Sequence, residues 1–356
     1  MTIMQPGDKL PSGPMPCDWL HTENTDRVAG TTSSHHVRRV SVIVPTRDRP
    51  ELLDEALASI RALEARDLEL EVIVSDNSVA GSAQQVARQH GARYVKATVP
   101  GPAAARNAGV EIATGQYLAF LDDDDLWLDT HLRAHLERLE ADPTLDGVIG
   151  QYCPIDASGR SGAPYPSPAF MQDDVLQGVL ATPPHIGAVV VRASAWTQVG
   201  PFDQALLAAE EWDWCLRLAL RCRVVFLAQP CMIFRARVPS VEEDHISDRY
   251  QRHTRHVFWR NIRRAGFGRL PTWFVIRAWL KRDGYYAARF LVSAELHVER
   301  GNHGAAWRAF VLAARSSPLH VAAWLARSAP ARRAFRRSFR HSEKIVGLRA
   351  RLDSEL

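Results

Sequence analysis

The chain has 356 residues, of which 46% are hydrophobic and 24% charged, and this excludes an intrinsically disordered chain; with 21 glycines it is not collagen-like either. No apolar run reaches the roughly 20 residues that cross a bilayer, and the five cysteines show no Cys-x-x-Cys pair or zinc spacing, so a reduced, intracellular protein is expected. The net charge of +4 hides an asymmetry: Arg249 to Leu356 holds 23 Lys and Arg against 6 Asp and Glu, which leaves −13 on the first 248 residues and predicts two regions with different tasks.

Residues 1–37 are polar and broken by prolines, and are expected to be a disordered leader without a signal-peptide core. Residues 40–44 are a short β-branched run, the pattern of a buried parallel strand. Pro45 to Arg49 breaks it. Pro50 suits a first helical position, and Leu52, Leu53, Ala56, Leu57 and Ile60 recur at helical spacing. A strand at 71–75 ends in Asp76-Asn77-Ser78. A helix near 82–90 and a strand at 92–96 follow, then a small-residue helix from Gly101-Pro102 to Ala113. A strand at 117–121 ends in Asp122 to Asp125. This alternation predicts an α/β fold, Rossmann-like, with a mostly parallel central sheet and flanking helices. Ligands of such sheets sit beyond the carboxyl ends of the strands, where Thr46 to Arg49, Asp76-Asn77 and the four aspartates all fall.

A helix near 128–140 and a strand at 148–152 come next. A Pro/Ser/Gly-rich loop over 154–168 leads to a strand at 188–192, a helix at 208–220, and two short strands at 224–227 and 232–235. Beyond 246 the strand signals nearly vanish. Helices are expected at 248–265, 273–282, 285–300, 304–315 and 319–328.

Two stretches carry chemistry. In "FLDDDDLW" (120–127) four adjacent carboxylates repel one another unless solvated or bound to a cation. Hard divalent ions such as Mg2+ or Mn2+ take oxygen ligands and are completed by substrate phosphates. Helix capping competes as an account, but it explains one or two of these acids rather than four. In "GPAAARNAGVEIATG" (101–115) Ala105, Ala108, Gly109 and Ile112 share one small face, with Arg106 and Asn107 outside it. A helix N-terminus beside an arginine is an anion site, so a diphosphate shared with the acids is preferred to an idle, solvent-exposed Arg106.

The runs "VSVIVPTRDRPELLDEALASI", "EVIVSDNS", "ARNAGVEIATGQYLAFLDDDDLW" and "GPFDQALLAAEEWDWCLRLAL" resemble, in order, the motifs of family 2 glycosyltransferases, from Val40 to Ser240. The resemblance implies a GT-A domain over 38–245, with a nucleotide-binding half (38–150) and an acceptor half (151–245). It further implies an inverting transfer from a UDP-, dTDP- or GDP-linked sugar to a saccharide or lipid-linked hydroxyl, as in bacterial polysaccharide, lipopolysaccharide or glycolipid synthesis, with a divalent cation. Carried onto this sequence, Pro45, Thr46, Arg47 and Arg49 would line the nucleoside pocket. Asp76 would recognise the base, alongside an Asx-turn role. Arg106 would lie beside the nucleotide, Asp123 close to the ribose, and Asp122 and Asp124 would form the Asp-x-Asp pair, with Asp124 the direct metal ligand.

The general base is expected within Glu210 to Asp213. Helical spacing makes Asp213 and Arg217 partners with Glu210 near both, an ordinary ion-paired face. Glu211 instead shares a stripe with Trp214, Cys215 and Leu218, where desolvation raises a carboxyl towards general-base values. Glu211 also matches the family's acid and is the expected base. Where many relatives carry a metal-binding histidine this chain has Arg237, which cannot ligate a metal but could bind the diphosphate. His185 is either near the acceptor or structural. Trp212 is either an acceptor platform or core, and Trp214 is expected in the core.

The C-terminal part divides into a helical region (246–330) and a basic tail (331–356). Arg327 to His341, with Ala334, Phe335 and Phe339, is a solvated tail or a contact for an anionic membrane. The expected location is cytoplasmic, extending to the inner face of the plasma membrane. No nucleic-acid module accompanies the charge, so no nucleic-acid partner is expected. Two rival functions stay open. A nucleotidyltransferase would place a lysine in a Gly-rich loop near the first strand, whereas only Lys9 and Lys96 precede residue 249. A degenerate nucleotide-binding scaffold is disfavoured by the acids and Glu211.

Overall fold

A computed structural model describes residues 38–63, 67–156, 159–167, 174–235, 244–266 and 268–327, with Arg333, Phe335 and Ser338. The chain divides into two compact units, Met1–Val238 and Pro239–Leu356. The expected leader, Arg237 and most of the basic tail lie outside the described residues.

At the centre of the first unit is β1 (Arg38–Thr46), flanked by β2 (Leu68–Asp76) and β4 (Tyr117–Phe120), both parallel to it; β3 (Arg93–Lys96) runs parallel to β2. A strand paired on both edges and covered on both faces reads as a near-continuous apolar run, and Val40, Val42, Ile43 and Val44 are fully buried, with Ser41 buried among them. Helices α1 (Pro50–Arg61), α2 (Gln84–Gln89) and α3 (Pro102–Glu111) make the crossovers. Pro50 opens α1, where a helix has no acceptor for the missing N–H, and Leu53, Ala56, Leu57 and Ile60 are buried. Packing of α3 on β1 is so close that a Cβ at Gly109 would stand 2.5 Å from Ile43 Cγ2.

The chain continues through β5 (Leu126–Trp127), α4 (His131–Ala141), β6 (Gly147–Ile155), α5 (Val175–Ala181), β7 (Val189–Arg192), α6 (Ala193–Val199), α7 (Glu210–Arg221) and β8 (Val224–Arg235). The eight strands form one sheet in the order β3-β2-β1-β4-β7-β6-β8-β5. Among the named strands antiparallel pairing is confined to β7 with β4 and β6, and to β5 with β8, so the sheet is mixed but parallel through β3-β2-β1-β4. Residues 224–235 form one strand rather than two. Pro230, in the gap between the two expected strands, pairs with Gln151 at an irregularity in the β6–β8 register.

The second unit holds α8 (Asp244–Ala265), α9 (Thr272–Glu299), α10 (His303–Ser316) and α11 (Pro318–Arg327). Helix α9 is continuous where two helices are expected. Gly284 is not a break but a packing residue, since a Cβ there would stand 2.3 Å from His320 Cε1 of α11. The unit has its own core, including Phe290, Leu291, Ala306 and Phe310. Phe335 joins it, with its ring 5.3 Å from that of Phe310, so this aromatic of the expected membrane-facing segment is turned inward. Among the described residues no single helix is long and apolar enough to cross a membrane.

Candidate active site

Strand β4 ends in mid-sheet, and Asp122 to Asp125 fill the short link to β5, closed by a turn from the Asp125 N–H to the Asp122 carbonyl (3.1 Å). In so tight a link the side chains diverge. Asp122 accepts from Arg106 Nη2 at 2.7 Å, and Asp123 from the Thr46 hydroxyl at 2.7 Å and Arg49 Nη1 at 3.2 Å. The same Arg49 nitrogen lies 3.4 Å from Asp124, and Asp125 accepts from the Arg235 N–H at 3.0 Å. Helix α4 starts only at His131, with Thr130 at its cap position, so capping explains none of the four acids.

Their electrostatics differ accordingly. Burial pushes Asp123 up to about 6 against the pull of Thr46 and Arg49. It pushes Asp125 up to about 7 against that of His185. Burial acts on Asp122 too, but Arg106 and His185 outweigh it and hold the carboxyl below its ordinary range.

Arg106 corrects the reading from helical spacing. It does not stand outside the packed face of α3 but is 2% exposed, and three carboxylates occupy it. Nη1 donates to Glu210 at 3.0 Å, while Nη2 donates to Asp122 and to Glu211. The guanidinium therefore joins the end of β4 to the first turn of α7 rather than waiting for a phosphate. One positive charge cannot balance three carboxylates, so the cluster favours a proton on one of them. Glu211 is that group: burial raises its pKa, Arg106 opposes, and repulsion from Asp122 and Glu210 adds to the rise, which reaches about 8. Glu210 faces Arg106 and not Arg217, correcting the expected ion-paired face; Asp213 does pair with Arg217, at 2.9 Å. Immediately before α7, Ala209 is left-handed (φ 62°), a conformation that costs a side chain about 1 kcal/mol and that persists here at the entrance to the two glutamates.

His185 sits on the acids. Its Nδ1 accepts from the Gly187 N–H at 3.2 Å, so in the neutral ring the proton is on Nε2, which lies 3.2 Å from Asp125 Oδ2 and 3.8 Å from Asp122 Oδ2. Neither contact is aligned as a hydrogen bond, and His185 also stands with Asp122 and Glu211 in a group whose ligating atoms lie within 4.8 Å of one another. Asp125 Oδ2 is buried yet makes no hydrogen bond among the described residues. One oxygen each from Asp122, Asp124 and Asp125 come within 4.8 Å of one another. An all-oxygen set with an unsatisfied buried oxygen fits a hard divalent cation such as Mg2+ or Mn2+.

At the end of β2, Asp76 is fully buried and both its oxygens are engaged, Oδ1 by the Ser78 N–H (2.7 Å) and Oδ2 by the Tyr94 hydroxyl (2.9 Å). The Asx turn is present. Burial acts to raise the carboxyl, and hydrogen bonds from Ser78 and Tyr94 hold it below its ordinary value. Asn77 bridges Val99 O (2.7 Å) and the N–H of Gly101 (2.6 Å), whose φ of 118° leads into Pro102 of α3. Pro45 is buried in β1 beside Thr46, and Arg47 projects into solvent. Trp212 is 4% exposed and its indole N–H donates to Val179 O at 2.7 Å, so it packs against α5 and offers no platform. Trp214 is core as expected, stacked on Phe202. Asp125 and Glu210 are site residues that sequence reasoning missed; their only signal is adjacency to the acids already chosen.

The sheet of this order with its flanking helices has the GT-A fold. The fold is similar to that of the mannosyltransferase PcManGT from Pyrobaculum calidifontis, solved in complex with GDP-Man and Mn2+, at 23% identity and a TM-score of 0.53 over 88% of this chain and 81% of that one. Residues 41–196 match the family model of glycosyl transferase family 2. The match ends before α7, so Glu210 and Glu211 lie beyond it. An uncharacterized glycosyltransferase of Rickettsia felis is 27% identical over 188 residues, 52% of this chain and 30% of that protein. The GalNAc(5)-diNAcBac-PP-undecaprenol beta-1,3-glucosyltransferase of Campylobacter jejuni is 30% identical over 145 residues, 39% of this chain and 45% of that protein. The chain thus spans less than half the length of these two curated relatives.

Proposed function

We propose that this chain is an inverting glycosyltransferase that moves a sugar from a nucleotide-diphosphate sugar to a hydroxyl acceptor. The observation that carries the reading is one guanidinium, Arg106, holding Glu211 of α7 beside Asp122 at the end of β4. A candidate base and a candidate phosphate-metal site, about ninety residues apart in sequence, thereby share one cluster.

Glu211 accepts the proton of the acceptor hydroxyl. The oxygen forms its bond to the anomeric carbon as the carbon–oxygen bond to the diphosphate breaks, and that electron pair leaves with the nucleoside diphosphate. A single displacement inverts the anomeric configuration and needs no covalent intermediate. Asp124, with Asp122 and Asp125, would hold the divalent cation (Mg2+ or Mn2+), which supplies charge neutralisation at the departing diphosphate. Arg49, paired with Asp123 and Asp124 in this structure and partly exposed, would exchange those contacts for a phosphate, whereas Arg106 positions the carboxylates. Asp76, Thr46, Pro45 and Arg47 frame the nucleoside end, and Asp123 the ribose. Arg237 and His185 would border the diphosphate and acceptor.

The undecaprenol-linked substrate in the Campylobacter relative's name supports a lipid-linked saccharide acceptor. The donor is a UDP-, dTDP- or GDP-sugar. The test is a screen of these sugars for hydrolysis and transfer with wild type, Glu211→Gln and Asp124→Ala. Turnover that is lost in both variants supports the assignment, and undiminished turnover in both overturns it. Absence of nucleotide binding by the wild type would leave a scaffold.

A further inference from the structure

A second group of ligating side chains lies outside the acids and Arg106. His131 and His135 stand one turn apart on α4, and Cys231 is on β8. All three are sealed from solvent, and one ligating atom from each falls within 4.8 Å of the others.

Three details distinguish this trio from packed core residues. First, neither ring nitrogen of His131 has a hydrogen-bond partner among the described residues, although the residue is 0% exposed. Trp127 stacks on its ring with centroids 4.2 Å apart, which satisfies the faces of the imidazole and leaves its edge unanswered. Second, His135 has a carbonyl at each nitrogen: His131 O is 2.7 Å from Nδ1 and Ala188 O is 3.2 Å from Nε2. A neutral ring carries one proton, and the shorter contact takes it. Nε2 is then left with a lone pair, the arrangement of a ligating histidine whose other N–H is anchored on a carbonyl. Third, β6 has a glycine where the donors converge. A Cβ on Gly150 would stand 2.7 Å from Cys231 Sγ and 3.0 Å from His135 Nε2.

We infer that His131, His135 and Cys231 form a site for a borderline-soft divalent metal ion, Zn2+ above all. Two imidazoles and a thiol suit zinc; the set has no carboxylate, unlike the oxygen-rich sites of Mg2+ and Ca2+. Ligand bonds of about 2.0–2.3 Å require the donors to draw closer than they stand here, a rotamer adjustment around the ion. On binding, the Cys231 thiol proton goes to solvent. The Gln151 carbonyl, 3.0 Å from Sγ, then loses its donor and becomes available at the fourth position. The ion would tie α4 to β8. The Leu128 N–H, just past β5, already bonds the Cys231 carbonyl at 3.0 Å, so the link braces the segment that follows the aspartates. Its task is structural, and it is independent of glycosyl transfer.

Because the trio is sealed, the ion enters as the chain folds. The full chain is therefore produced in minimal medium supplemented with Co2+, a spectroscopic substitute for zinc, and its metal content and absorption are recorded after dialysis. The expected result is a thiolate-to-cobalt charge-transfer band with one ion per chain. The band persists in Cys222→Ser and in the Asp122→Asn/Asp124→Asn double variant, and disappears in Cys231→Ser and His131→Gln. A band that survives Cys231→Ser, or that follows Cys222, overturns the site. Should the trio variants fail to fold, wild type refolded with Co2+ decides: a band with one bound ion supports the site, and no band overturns it.

Discussion

Glu211 and Asp122 share one donor, Arg106 Nη2, and through it the first turn of α7 is fixed to the end of β4. Neither acid could be held there alone. Burial works against the ionised form of both, and the guanidinium offsets that cost for Asp122 more than for Glu211. Arg106→Ala leaves Asp122, Glu210 and Glu211 without their buried countercharge, and is expected to cost about 3–5 kcal/mol of unfolding free energy. Urea denaturation measures this. Arg106→Lys keeps the charge, but its single nitrogen cannot serve three carboxylates, so turnover falls further than stability does.

The two glutamates of α7 separate by function. Glu211→Gln is expected to lower kcat by roughly 10²–10⁴-fold, the range of a lost general base. Glu210→Gln, which removes an Arg106 contact away from the reacting proton, is expected to affect stability first. A base must be unprotonated, so with Glu211 raised to about 8 the wild-type kcat/KM climbs with pH through that value. The sign for stability is opposite. The folded state binds the extra proton between 4.5, the ordinary glutamate value, and about 8, so wild type loses stability relative to Glu211→Gln as pH rises across that window. A flat pH–rate profile from pH about 6 to 9 would remove Glu211 as the base.

The parallel half of the sheet was legible because β1 and β2 carry β-branched runs, β4 is apolar, and polar residues follow each of them at the strand ends where such folds bind ligands. The acids could be named on that basis, and Glu211 from its helical stripe and from the family resemblance. The burial of Arg106 could not, because an arginine among alanines reads as exposed until its partners at 210 and 211 are brought to it. His185 was ambiguous for the same reason: its tautomer depends on the Gly187 N–H and its role on Asp125, both fixed by folding. Strand β5 has two residues and α5 and α6 have seven each, too short for periodicity to register. The gaps expected at 228–231 and 283–284 closed on folding, because a register irregularity at Pro230 and a close helix contact at Gly284 are accommodated inside one element.

Mn2+ affinity should separate the four aspartates. Asp124→Ala and Asp125→Asn are expected to weaken binding at least about tenfold, since each removes an oxygen from the converging set. Asp123→Asn should change it little, because that carboxylate is spent on Thr46 and Arg49. Free Mn2+ is read directly by electron paramagnetic resonance. Equal effects at all four positions would mean that the acids act only as a diffuse negative field.

Trp212→Phe tests whether this tryptophan is packing or platform. The substitution removes the bond to Val179 O and keeps most of the ring, so a loss of about 1 kcal/mol in stability is expected with an unchanged acceptor KM. A rise in KM without loss of stability would return Trp212 to the acceptor site.

Glu71, remote from the acids, offers a pH-dependent check on the sheet. One carboxylate accepts from Ser41 and Arg93, from the Thr114 N–H at 2.7 Å and from the Thr114 hydroxyl at 3.0 Å, tying β2 to β1, β3 and the segment before β4. Burial alone would raise its pKa, but these hydrogen bonds win and bring it from 4.5 down to about 2. A group lowered on folding contributes its stability above the unfolded value and loses it as pH falls through the folded one. Glu71→Gln, which replaces a charged acceptor by a neutral amide, is therefore expected to cost about 1–3 kcal/mol at neutral pH. The difference from wild type should shrink as pH drops below 4.5 and vanish only below about 2, where the wild-type carboxyl is itself protonated. Urea titrations of both proteins across that range decide it: a gap that stays constant with pH would show that the loss comes from packing and not from the carboxylate's charge.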